Sequence, residues 1–208
     1  ATAAGGAIAQ VRFLRWCSRR NTGSFEPALD EVYARPRLLA AMHLLLYGVF
    51  FAAMLAAWAF PAINAHVVEA VSAEFSHGAL SYIGAAYASE SIVMAALATF
   101  WHNYAVATLS LVIAPSLFIP FFGVAKSAAS FGLVGFAMAP LWLQTQTHLL
   151  YHAITLTLEL EAYVIAAFIV CVWPLRLVAG RRRGRLAGEM RLGLNAMGSG
   201  AVSYTHLT

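Results

Sequence analysis

The sequence predicts an all-α membrane protein: a polytopic helical bundle of about four transmembrane helices with one further interfacial helix. Three observations lead there. Of the 208 residues 61% are hydrophobic and 11% charged, against about a quarter charged in a soluble domain. The apolar residues fall in uncharged runs close to the roughly 20 residues that cross a bilayer core. The basic residues stand at the ends of those runs rather than inside them. A mean hydropathy of +0.73 agrees.

The first run, 38–60, is broken only by His43. The second, 104–124, contains Pro115 and Pro120, which remove backbone donors and predict a kink or a break. The third, 127–143, is the shortest, and the fourth covers 152–173. Between the first two, Ser91 to Trp101 is too short to span and fits an interfacial helix. The segment 61–90 is mildly amphipathic and suits the outer leaflet. These boundaries divide the chain into a basic N-terminal segment, 1–37, and a membrane domain, 38–174, with an external loop at 61–100. A second basic segment, 175–201, follows. Residues 202–208 resemble translated adapter sequence, so the chain is expected to be a fragment.

Charge orients the bundle. Arg12, Arg15, Arg19, Arg20, Arg35 and Arg37 precede the first run, and Lys126 lies between the second and third. Arg176, Arg181, Arg182, Arg183, Arg185 and Arg191 follow the fourth. By the positive-inside rule all three places are cytoplasmic, which requires an even number of crossings. The expected location is the bacterial inner membrane. A pI near 9.3 is then explained by orientation and by contact with anionic headgroups, and no nucleic-acid partner is expected. Cys17 and Cys171 form no pair that implies disulfide or redox chemistry.

Two patterns within the runs bear on function. In the third, Ala128, Gly132, Gly135 and Ala139 recur at spacings that let helix backbones approach closely. In the fourth, His148, His152, Thr155 and Glu159 share one stripe: relative to His148 the others lie at about 40°, −20° and 20° around the helix. Glu161 points to roughly the opposite face. An acid inside hydrocarbon costs at least about 2.5 kcal/mol unless it is paired, protonated or wetted. His102 and Asn103, at a similar depth, are the expected partners of Glu159. Three readings follow: a hydrogen-bonded knot that fixes helix register, a solute or proton path, or a zinc site. HLLYH lacks the general base of the zincin motif, so neither metal, cofactor nor catalytic residue is expected.

FWHNYAVATLSLVIAPSLF (100–118), VAKSAASFGLVGF (124–136) and ELEAYVIAAF (159–168) together resemble the stage II sporulation protein M family over about residues 35–190. In this chain Thr155 stands where the family has a histidine, and His152 lies nearly one turn earlier. The resemblance implies a multi-span inner-membrane protein that works as a scaffold in envelope remodelling. It also implies a further span beyond the basic stretch. The expected partners are the lipid bilayer and other envelope proteins, peptidoglycan hydrolases among them. A homo-oligomer and a transport role are left open, and no enzymatic activity is expected.

Overall fold

The computed structural model describes residues 26–139 and 149–205, and among them it is all-helical. α1 (Glu26–Ala34) is separated from α2 (Pro36–Ala59) at Arg35, because a proline is favoured at a helix start and costly in its interior. Pro61 repeats the device and opens α3 (Pro61–His77). α4 (Ser81–Ala88) follows, and Ser91 caps α5 (Ile92–Trp101) by accepting the Met94 N–H at 3.3 Å.

α5 runs without a break into a π-helical segment, His102–Ile113, and then into α6 (Ala114–Phe118). Together they form one helix, Ile92–Phe118, of 27 residues. The expected interfacial helix is therefore the first part of this span. No glycine or proline lies between Ile92 and Ala114 to stop the backbone. The π segment is wider than an α-helix, and Ser110 Oγ donates across one of its turns to the Ala105 carbonyl at 2.7 Å.

The expected second run does not reach 124 as one helix, because the chain reverses at Ile119–Phe121. Pro120 lies in the turn and Phe121 is left-handed with φ 63°. Ser116 Oγ closes the reversal, donating to the Val112 carbonyl at 2.5 Å and accepting the Gly123 N–H at 2.8 Å. α7 (Phe122–Ala137) then returns. α8 (Leu149–Arg182) follows, with Pro174 inside it, and leads through a tight turn at Gly184 to α9 (Leu186–Thr205).

Among the described residues three helices are long and apolar enough to cross a membrane: Pro36–Ala59, Ile92–Phe118 and Glu159–Arg182. The 16 residues of α7 rise about 24 Å, short of a hydrocarbon core of about 30 Å. Contacts fix the directions. Val49 meets Gly132 and Phe50 meets Gly135, so α2 and α7 run in step. Asn103 meets Tyr163, and Val112 and Val170 both flank Gly123, so the π-containing helix and α8 also run in step. His43 meets Glu161, with the more N-terminal Glu31 on Arg176, so these two pairs of helices run in opposite directions.

α8 is the central helix. Within the protein 67% of its apolar window is buried, against 28% for α2 and 17% for Ile92–Phe118. Every residue from Val164 to Trp173 is buried, as expected of a helix that is hydrophobic on all sides. Residues 186–205 form a helix that turns back along α8, placing Ala196 and Met197 in the core and Gly193 against the Trp173 ring.

Candidate functional site

An apolar helix such as α2 has little use for a histidine, so His43 marks where polar chemistry enters the bundle. His43 and Tyr47 are one turn apart on α2 and face α8. His43 Nδ1 lies 2.9 Å from the Leu39 carbonyl, and Nε2 lies 3.0 Å from Glu161 Oε2. The Tyr47 hydroxyl donates to Glu161 Oε1 at 2.7 Å. A carbonyl can only accept, so Nδ1 carries a proton. One proton is then shared between Nε2 and Oε2. Whether it sits on imidazole or carboxylate, the pair is net neutral, and neither group is an isolated charge in hydrocarbon. His43 is 4% exposed. The Tyr47 ring packs edge-on against Phe131 of α7 at 5.7 Å between centroids, so the cluster ties three helices.

The predicted stripe is distributed differently. Among the described residues Glu159 makes no hydrogen bond. It lines, with Asn103, a cavity of about 410 Å³ whose wall also includes Tyr87, Glu90, Ser91 and Thr99. Asn103 shares that cavity but accepts its hydrogen bond from the Tyr163 hydroxyl at 3.3 Å. His102 Nδ1 is 2.8 Å from the Tyr82 hydroxyl. His148 lies outside the described residues, as do the side chains of His152 and Thr155. Among the described residues no group of three or more His, Cys, Asp or Glu side chains could hold a metal ion.

The small-residue stripe divides in two. Gly135 faces α2 so closely that a Cβ there would lie 2.3 Å from the Phe50 carbonyl oxygen, whereas one on Gly132 would meet only a Val49 methyl at 3.3 Å. Ala128 packs against the core, and Ala139 is buried just beyond the end of α7. Asn64 of α3, also buried, donates to the Phe136 carbonyl at 2.6 Å. That carbonyl is in the last turn of α7, where backbone acceptors lack partners.

A second polar cluster stands at the far end of α8. Arg176 donates through Nε to Glu31 of α1 at 2.6 Å and through Nη1 to Glu189 of α9. Arg35 also pairs with Glu31, which is 2% exposed. In the sequence Arg35 and Arg176 are orientation signals. In the structure Arg176 also holds α1 and α9 to the central helix, while Arg35 pairs with the same Glu31.

Sequence reasoning missed Glu161 and its partners. The available signal was that His43 and Tyr47 are four apart in an otherwise uncharged run, while Glu161 faces away from the Glu159 stripe. Compared with protein-family models, with curated proteins and with solved structures, the chain matches none.

Proposed function

We propose that this chain is a membrane scaffold or partner subunit, with the role that its resemblance to the stage II sporulation protein M family implies. One observation supports this best: the carboxylates Glu161 and Glu31 are held by side chains from other helices of the bundle. Glu161 is held by His43 and Tyr47, and Glu31 by Arg176 and Arg35. Asn64 is held by the end of α7. Such pairs fix which helix faces meet and leave the protein in one arrangement. In this reading the chain sits in the bacterial inner membrane with the Arg181–Arg185 turn in the cytoplasm. It presents α3 and α4 externally to envelope proteins, of which peptidoglycan hydrolases are the class that the resemblance suggests.

The cavity beside Glu159 supports a second reading, a channel or transporter subunit with a polar path there. Flux measurements on proteoliposomes separate the two. A scaffold should pass protons and monovalent cations no faster than protein-free vesicles. Flux that disappears in Glu159→Gln or Glu161→Gln, with folded yield unchanged, would establish the transporter instead.

A further inference from the structure

The turn between α8 and α9 concentrates Arg181, Arg182, Arg183 and Arg185 around Gly184, whose φ of +64° makes the reversal tight. All four arginines are exposed. The nearby carboxylate, Glu189, is engaged by Arg176, so the turn has little counter-charge within the fold. Apolar surface runs directly up to it. Leu175 and Val178 are exposed at 41% and 52%, and with Arg182 they follow the three–four spacing of one α8 face. On α9, Leu186, Met190 and Leu194 are exposed four apart. Two greasy stripes thus lead to one cluster of guanidinium groups at the end of a helix long enough to span a membrane.

We infer that the α8–α9 turn is a binding site for an anionic phospholipid, its phosphate on Arg181–Arg183 and its acyl chains along Leu175 and Val178. Charge complementarity selects the headgroup. Planar guanidinium groups match phosphate oxygens through paired N–H donors, and basic clusters at a membrane surface attract anionic lipids. The adjoining apolar stripes distinguish a lipid from a free anion, because a soluble phosphate has nothing to place on them. The inference rests on the membrane reading of α8 and is independent of whether the chain is a scaffold or a transporter.

The test uses the full chain purified in a zwitterionic detergent, with dioleoylphosphatidylglycerol and dioleoylphosphatidylcholine as probes and native mass spectrometry as the readout. The phosphatidylglycerol should be retained at least tenfold better than the phosphatidylcholine, with the preference shrinking as salt rises. Arg181→Gln, Arg182→Gln and Arg183→Gln together should remove the preference, and Leu175→Ser with Val178→Ser should weaken retention of the lipid. Equal retention of the two lipids by the unmodified chain would overturn the site without recourse to any variant. So would full displacement by millimolar inorganic phosphate, which would make it a simple anion site. Displacement by a short single-stranded oligonucleotide at equal concentration would overturn it in favour of nucleic acid.

Discussion

Glu159 and Glu161 are two residues apart and chemically identical, yet the fold treats them differently. Helical geometry puts them on nearly opposite faces, and that much is legible in the sequence. Which face meets α2 is set by neighbours far along the chain, 118 positions away in the case of His43. A helical wheel cannot supply that. His148, His152, Thr155 and Glu159 align four polar residues on one stripe, whereas the face of Glu161 carries only Thr157 one turn earlier. If His43 and Glu161 support each other, Glu161→Leu and His43→Leu should each cost about 1 kcal/mol, and no more than about 2, in a reversible unfolding assay in detergent. The double variant should cost little more than either single one, giving a coupling of about 1 kcal/mol. Additive losses would mean that the contact contributes nothing. Glu161→Gln keeps an acceptor for Tyr47 and should cost less than Glu161→Leu.

At the scale of helices, the long helices coincide with apolar runs, and several prolines stand at helix ends. Pro36 and Pro61 start helices, and Pro120 sits in the reversal. Pro115 is tolerated near the start of α6, just where the π segment ends. The continuity of α5 with that segment was not legible, because a 10-residue apolar stretch looks the same beside a span as within one. Nor was the meaning of the small-residue spacing divisible by sequence alone. Gly135→Ala should destabilise by about 1–3 kcal/mol, because its Cβ would meet backbone that cannot move aside. Gly132→Ala faces a methyl group and gains helix propensity, so its unfolding midpoint should stay the same or rise. Equal losses at both positions would show that α2 and α7 do not meet at Gly135. At the other end of α8, Arg176→Gln removes the tie to α1 and α9. Amide hydrogen exchange in both of these helices should then accelerate at least tenfold while the middle of α8 stays protected.

For the whole molecule, composition, the length of the apolar runs and the charges that flank them point to the class, an all-helical bundle in which three of the described helices are long and apolar enough to cross a membrane. The alternation of helix directions agrees with the order in which charge flanks the runs. Which side of the membrane each end occupies is a proposal with its own check. With cysteine placed at Ser72 or Arg183, both exposed, a periplasmic thiol reagent should label position 72 and leave 183 unlabelled. The reverse pattern would invert the orientation. α9 is a helix packed on α8 where the sequence predicts only a basic segment over 175–201. Its partner surface is the Trp173 ring and Arg176, which only the folded α8 presents.

The central structural claim is that α2 and α8 meet through His43 and Glu161 while Glu159 faces elsewhere. It is tested most directly by cross-linking in native membranes, in a chain whose Cys17 and Cys171 have been replaced. Cysteine is placed at 43 together with either 161 or 159, so that in the first pair both members of the polar contact are removed and no charge is left unpaired. A short bifunctional thiosulfonate should join 43 to 161 efficiently and 43 to 159 poorly. Efficient joining of 43 to 159, with 161 unreactive towards 43, would contradict the claim by placing the opposite face of α8 against α2.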